Sequence, residues 1–524
     1  MKRLKTSGSV LVATGIFLSR IAGLVRERVF AHYFGNSMYA DAYKAAARIP
    51  NYLQNLFGEG VLSASFIPVY SRLVAAGDAE EAGRVAGAIG AILALLTSVL
   101  VLIGVFAAPL MTTLFAAGFK GATRDLTIQL VRILFPGVGM LVMSAWTLGI
   151  LNSHHKFLLS YTAPVLWNAA IIASLLFFHQ HRSLSQFAVA VTWGNVVGCA
   201  IQFLVQLPLV LKLVPHLRFV FDWGSESVRR VLKSFPPIFT ARGVVQISAW
   251  VDSQLASYLP IGSMAALTYA QTIYMLPISL FGMAVSAAEL PAMSSALGSE
   301  EEISAALRKR LAHGLGQIAY FVVPSAVAFL ALGDVIVGAI YQSGKFHHSD
   351  TLFVWGILAG STVGLLAGTL GRLYSSAYYA LRDTRTPLRF ALVRVALTLT
   401  LGVLFAFPLP RWIGIDPKWG VAGLTASAGI AAWVEFFLLR RKMRRRIGAV
   451  DFSPALILKL WIAAAIAAGI AFFAKHRIHY LARTDHPLII AVYILAPYGL
   501  IYLLLTHVFR VPQAKALLGR MRRG

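Results

Sequence analysis

The chain reads as an all-α, polytopic membrane protein of about 14 transmembrane helices: two six-helix lobes forming a parallel repeat, plus two C-terminal helices. Three observations lead to that class. Hydrophobic residues make up 58% of the 524, charged residues only 13%, and mean hydropathy is +0.72; a soluble protein carries roughly 25% charged residues. Apolar runs of roughly 18–25 residues recur along the whole length, enough for a helix to cross the hydrocarbon core. Lysine and arginine concentrate in alternate short loops between those runs, the pattern that sets membrane orientation.

The candidate spans lie at 9–33, 38–71, 86–115, 127–151, 160–178, 185–211, 238–259, 264–296, 312–341, 350–378, 388–407, 420–439, 453–474 and 487–508. Met1-Lys2-Arg3 leads into the first without a small-residue cleavage pattern, so that span is expected to be retained rather than removed as a signal peptide. The second and seventh stand out by the charges they hold. The tenth carries Gly356, Gly360, Gly364 and Gly368 at strict fours, extending the spacing that lets helices approach closely; the same surface would also slide easily during a rocking motion. The last two spans follow the basic run Arg440 to Arg446.

The net charge of +26 suggests nucleic acid at first sight, but its placement in short loops fits membrane topology and anionic headgroups instead. With the N-terminus inside, the cytoplasmic segments collect roughly three times as many Lys and Arg as the opposite loops, and both termini are cytoplasmic. A weak repeat supports duplication. Leu56-Phe57-Gly58 with Pro68 resembles Leu280-Phe281-Gly282 with Pro291, and Gly149-Ile150-Leu151-Asn152 resembles Ala380-Leu381-Arg382-Asp383. Each pair is separated by about 225–230 residues and six spans, an even number that preserves orientation. The expected lobes are therefore 1–215 and 216–446, followed by 447–524 with the last two helices and a basic C-terminus.

The chemistry concentrates between Gly15 and Leu73. That stretch is apolar enough to cross a bilayer twice, yet it holds Arg20, Arg26, Glu27, Arg28, Asp41, Lys44, Arg48 and Glu59. Each charge at the centre of a membrane helix costs about 2.5–3.5 kcal/mol on insertion scales, so several facing lipid would cost on the order of 10 kcal/mol. They must face protein or water. Asp41, Lys44 and Arg48 at i, i+3 and i+7 form one helical stripe; Arg20 and Glu27 share a face of the first span while Arg26 points elsewhere. Two readings stand: internal ion pairs such as Arg20 or Arg26 with Glu59, or an unpaired positive site for an anionic ligand. The cation excess favours the second, and arginine suits a pyrophosphate because its fork donates two parallel hydrogen bonds and stays charged.

Span seven carries Arg242, Gln246, Ser248, Asp252 and Gln254. Arg242 either joins the cationic site or snorkels to the interface; Asp252 either closes a salt bridge or binds Na+ or H+. Glu289 and Glu435 are further intramembrane acids, with relay and packing equally open. His154-His155 and His347-His348 lack further ligand-type neighbours, and the single cysteine, Cys199, excludes an intramolecular disulfide or thiolate cluster. No nucleophilic triad, paired catalytic carboxylates or phosphate-cradling glycine loop stands out.

At these residues the chain resembles the MurJ (MviN) family, the lipid II flippases of the MOP exporter superfamily. The matching text is SRIAGLVRE at 19–27, ADAYKAAARIPN at 40–51, FGEGVLSASFIPVYS at 57–71, GILNSHHKF at 149–157, AP at 163–164 with Asn168, SGKF at 343–346 and YYALRDTRTP at 378–387. The resemblance covers nearly all of the chain, in order. It implies a MOP/MATE-like fold with two six-helix lobes around a cationic cavity, and a groove for the undecaprenyl tail on the last two helices. Arg20 and Arg26 match arginines required for transport, and Asp41, Glu59 and Asn51 fall at polar positions of the matching motifs. The family often has arginine where this chain has Gln54 or Asn55, and again at Gln271; Arg48, Lys44 and Arg242 are the candidates to supply that charge. Asp252 would belong to a C-lobe sodium site whose partners in span eleven are not evident.

The expectation is a lipid II flippase of the bacterial inner membrane, driven by Na+, H+ or the membrane potential, monomeric, with no cofactor, no covalent chemistry and no nucleic acid. Membrane lipids, lipid II and cell-wall synthesis proteins are the expected partners. The alternatives are a flippase for another polyprenyl-linked glycan or a MOP-type exporter, a non-transporting scaffold of the wall machinery, and a membrane glycosyltransferase or phosphatase using Asp41 or Glu59.

Overall fold

The computed structural model describes residues 2–57, 59–180, 183–222, 224–294, 299–482 and 486–515, with side chains described outside 2–13, 59–60, 237–245, 248, 287, 292, 476 and 478–482. Helix dominates because a backbone in hydrocarbon must satisfy its own hydrogen bonds; among the described residues the one strand-like pairing is an isolated bridge between Ser343 and Phe346. The chain divides into two compact units, Met1–Ala265 and Ala266–Gly524.

The first unit contains α1 (Lys2–Phe34), α2 (Met38–Phe57), α3 (Glu59–Ser65), α4 (Ile67–Ala76), α5 (Ala79–Phe106), α6 (Ala108–Phe115), α7 (Gly121–Ser153), α8 (Phe157–Phe178), α9 (Leu184–Leu204), α10 (Leu207–Leu213) and α11 (Glu226–Ser257), and the start of α12 (Ser263–Pro277). Its apolar centre gathers Phe66, Tyr70, Ile89, Val142, Trp146 and Val210, with the Trp146 indole donating to Ala86 O at 3.1 Å. The expected lobe boundary at 215/216 and this division differ over one span, because α11 is tied into the first unit. Trp250 Nε1 donates to Leu114 O at 3.0 Å, Gln254 Oε1 accepts from Ala117 N at 3.3 Å and Ser257 Oγ from Gly118 N at 3.0 Å.

The second unit holds α13 (Ala284–Ser294), α14 (Glu300–Ala331), α15 (Gly333–Tyr341), α16 (His348–Thr362), α17 (Leu365–Ala380), α18 (Arg385–Ala406), α19 (Pro408–Trp412), α20 (Gly420–Ile447), α21 (Pro454–Ala482) and α22 (Pro487–Val508). Three of the four glycines spaced by four face α20 or Trp419, the residue that leads into it. A Cβ on Gly356 would meet the Trp419 ring at 2.2 Å, one on Gly360 would meet Ala422 O at 2.4 Å, and one on Gly364 would meet Gly429 Cα at 2.5 Å. Between α16 and α17 the path bends by 43°, and Trp433 Nε1 donates to the Val363 carbonyl at that bend (2.8 Å). Leu280-Phe281-Gly282, marked by the repeat, lies in a π-helical stretch, Ile278–Met283.

Among the described residues the expected spans fall largely on helix, several of them broken: 38–71 runs over α2, α3 and α4, and 86–115 over α5 and α6. Ten helical segments are long and apolar enough to cross a membrane, eleven with the bent α16–α17 pair, counted among the described residues. The repeat also surfaces in the backbone. After α7, His155 has φ 58°, and after α17, Arg382 has φ 58°. Lys156 N reaches back to Leu151 O at 2.9 Å and Asp383 N to Tyr378 O at 2.9 Å, so both helices end in the same left-handed cap.

Candidate functional site

The site grows from α2, whose apolar residues pack inward while the stripe of Asp41, Lys44 and Arg48 must find polar partners. Asp41 and Lys44 are 3% and 5% exposed. Lys44 Nζ donates to Glu27 Oε2 on α1 at 2.5 Å and lies 4.1 Å from the Phe30 ring centroid. The other oxygen of Glu27 takes Arg26 Nη2 at 2.8 Å. Arg26 then reaches α8: Nη1 donates to Asn168 Oδ1 at 3.0 Å, and the guanidinium sits 5.5 Å from the Trp167 ring centroid. Trp167 Nε1 donates to Asn195 Oδ1 on α9 at 2.7 Å, and Asn195 Nδ2 to the Tyr43 hydroxyl at 3.2 Å. One polar chain thus links α1, α2, α8 and α9 around a single buried carboxylate.

The remaining candidates occupy distinct places. Arg48, half-buried, donates from Nη1 to Ser253 Oγ on α11 at 2.6 Å, and the Tyr52 hydroxyl lies 3.3 Å from the same oxygen. Asp252 is half-buried beside Ser253. Both oxygens of Asp41 accept backbone N–H groups at the start of α12: Gly262 N at 2.6 Å and Ala265 N at 2.8 Å. Asp41 therefore caps a helix, where the sequence reading turned it toward substrate. Arg20 and Asn51 are exposed, and neither has a hydrogen-bond or ion-pair partner among the described residues. The side chains of Glu59 and Arg242 lie outside the described residues.

Arg26 thus finds its carboxylate in Glu27, its own neighbour. Sequence reasoning gave no role to Trp167, Asn195 or Ser253; Asn168 appeared there only as part of a matching motif. In the second unit Glu435 meets Arg394 at 3.1 Å and Glu289 meets Arg310 at 3.7 Å, so both of those acids have arginine partners. No cluster of three or more His, Cys, Asp or Glu suited to a metal occurs among the described residues.

The balance of charge defines what the first-unit site can do. Arg26 and Lys44 share the carboxylate of Glu27, Asp41 is engaged by the backbone, and exposed Arg20 adds a further positive charge. Such an excess suits an anion held by several donors: the fold and the site define a multi-pass membrane protein with a cationic site of the kind an anion transporter needs.

Within that class the chain belongs to the lipid II flippase MurJ family, whose family model matches residues 30–509. It is similar to the lipid II flippase MurJ of Burkholderia cenocepacia, 30% identical over 492 residues and covering 92% of each chain. It is also similar to a probable lipid II flippase MurJ of Vibrio cholerae, 29% identical over 449 residues, covering 84% of this chain and 83% of that one. Among solved structures it matches lipid II flippase MurJ in an inward closed conformation, with a TM-score of 0.77, 27% identity, and 95% and 98% of the two chains covered. An inward-facing MATE multidrug transporter of the MOP superfamily matches with a TM-score of 0.64 at 17% identity, covering 83% of this chain and 98% of that one, a likeness of fold alone.

Proposed function

We propose that this chain moves lipid II, the undecaprenyl-pyrophosphate-linked disaccharide-pentapeptide, from the cytoplasmic to the periplasmic leaflet of the bacterial inner membrane by alternating access. The observation that carries the reading is the cation excess around Glu27. Arg26 and Lys44 share one carboxylate, and exposed Arg20 has no hydrogen-bond or ion-pair partner among the described residues. A diphosphate supplies the missing negative charge, and arginine holds it bidentately. In this reading Arg20, Arg26, Arg48 and Lys44 bind the headgroup, with Arg242, Asn51 and Glu59 around it. Fourteen spans, with both termini cytoplasmic, carry the site across, and the tail stays in lipid along the last two helices. No bond is made or broken. The membrane potential, or Na+ or H+ binding at Asp252, drives the cycle.

The test is rescue of a bacterial strain depleted of its own lipid II flippase. The wild-type chain restores growth and accessibility of lipid II at the outer face, and dissipating the membrane potential slows that appearance. Arg20→Ala abolishes rescue at normal protein levels, and since Arg20 makes no pair among the described residues its loss is read as lost substrate contact. Rescue by both Arg20→Ala and Arg26→Ala would point instead to a scaffold of the wall machinery. Failure of the wild-type chain to rescue would leave another polyprenyl-linked glycan as the cargo.

A further inference from the structure

A cavity of about 380 Å³ opens in the first unit, away from the Glu27 network. One wall is the first two turns of α5, with Glu80 and Arg84; the other is the segment joining α10 to α11, with His216, Arg218 and Asp222, and Val220 and Phe221 complete the lining. Ligand sites commonly measure about 300–1,000 Å³. The walls are held in place. A Cβ on Gly83 would sit 2.8 Å from the His216 carbonyl carbon and one on Gly87 2.0 Å from Arg218 O, so the segment lies flush on a glycine face of α5. Asp222 Oδ1 accepts from Gly224 N at 2.9 Å and Ser225 N at 3.1 Å, and Ser225 Oγ donates to Glu81 Oε1 at 2.8 Å.

The polar groups in this frame are under-used. Arg84 meets Glu80 and Glu81 only at 3.5 Å. The side chains of His216 and Arg218 are exposed and have no hydrogen-bond or ion-pair partner among the described residues. Two guanidinium groups and two carboxylates face one space. A plain anion would meet both acids and a plain cation both arginines, but a ligand with adjacent opposite charges meets each with its complement. The surroundings place that ligand at a membrane surface. Phe219, Val220 and Phe221 are 54%, 58% and 49% exposed, and further along α5 Leu95, Val99, Leu102, Ile103 and Phe106 are all exposed. The cavity therefore sits at the polar end of a lipid-facing helix, beside an apolar triplet of the kind that enters the headgroup boundary.

We propose that this cavity binds the phosphoethanolamine headgroup of a membrane phospholipid. Arg84 and Arg218 hold the phosphate, Glu80 and Asp222 accept from the ammonium, and the acyl chains run along Phe219, Val220 and Phe221. The segment connecting α10 to α11 thereby becomes a lipid-reading element, independent of the cargo carried elsewhere.

The test is native mass spectrometry of the purified full-length chain in detergent, titrated with equal amounts of phosphatidylethanolamine, phosphatidylcholine and phosphatidylglycerol, with soluble phosphoethanolamine as competitor. Phosphatidylethanolamine is expected to give the dominant adduct. Arg218→Ala should weaken it about tenfold, on the scale of one charge-assisted contact. Glu80→Gln should narrow its lead over phosphatidylcholine, whose methylated nitrogen has no N–H to donate. Thermal unfolding of each variant confirms folding, and Arg218→Gln replaces Arg218→Ala if the latter fails to fold. Equal adducts for the ethanolamine and choline lipids, preference for phosphatidylglycerol, or indifference to Arg218 would each overturn the proposal. So would displacement by soluble phosphoethanolamine at the affinity of the intact lipid, which would make the ligand a free phosphate ester.

Discussion

Glu27 and Asp41 are two acids buried in the same unit with opposite duties. Glu27 neutralises side chains: Lys44 and Arg26 both lean on it, and removing one partner of such a buried set costs about 3–5 kcal/mol because the others stay behind uncompensated. Asp41 neutralises backbone, taking the N–H groups of Gly262 and Ala265, and Gly262 is required there because its φ is +91° and a Cβ would press on Asn36 O at 2.6 Å. The two roles separate experimentally. Asp41→Ala leaves two buried donors unmet, each worth about 1–3 kcal/mol, so thermal unfolding should shift down and protein yield fall. Asp41→Asn keeps one acceptor, and flipping per molecule should persist; loss of transport at unchanged stability would instead place the Asp41 charge on the cargo. The stripe of Asp41, Lys44 and Arg48 was legible from the sequence because helical periodicity alone puts i, i+3 and i+7 on one face. Their partners were not. Arg26 and Glu27 are adjacent, a spacing that does not face on a helix, and only the length of the arginine side chain lets it curl back to its neighbour.

Helices in this fold are held by side chains that mend broken ladders as much as by apolar packing. Pro324 inside α14 has no N–H, so the carbonyl of Tyr320, four residues back, loses its helical donor. The Tyr502 hydroxyl on α22 supplies one at 2.6 Å, while Tyr498 donates to Pro324 O at 2.7 Å. In hydrocarbon no water can substitute. Tyr502→Phe keeps the ring and removes the donor, so it should destabilise the second unit by about 1–3 kcal/mol, read as a lower unfolding midpoint in detergent, with Tyr498→Phe smaller because its acceptor keeps a helical donor of its own. An unchanged midpoint for Tyr502→Phe would mean that the proline-freed carbonyl is satisfied in another way. Element positions were legible throughout, since each apolar run of adequate length is helical. The close face of Gly356, Gly360 and Gly364 was legible too, as spacing by four. Which helix would fill it was not: nothing in the sequence pairs Gly364 with Gly429, because a contact between two glycines leaves no side-chain signature.

For the whole molecule, the charge distribution predicts an orientation that the fold by itself leaves open. Short loops rich in arginine are expected on the cytoplasmic side because translocating them is disfavoured; that expectation assigns there the exposed arginines between Arg440 and Arg446 and the turn at Arg382, exposed with φ 58°. Lys345 and His348 lie in an exposed turn at the other end of α16 from that basic side. Cys199, the sole cysteine, is 3% exposed, so the native chain is nearly silent to a thiol reagent. Single cysteines placed at Lys345 or His348 should therefore react with a membrane-impermeant maleimide in intact cells. Those placed at Arg382 or Arg441 should react only after permeabilisation, since one crossing separates the first set from Arg382 and three separate it from Arg441. If Lys345→Cys and Arg382→Cys were labelled from the same side, the α16–α17 pair would turn back at its 43° bend instead of crossing. Every span after it would then reverse, and the charge asymmetry would be read as lying on the wrong face of the membrane.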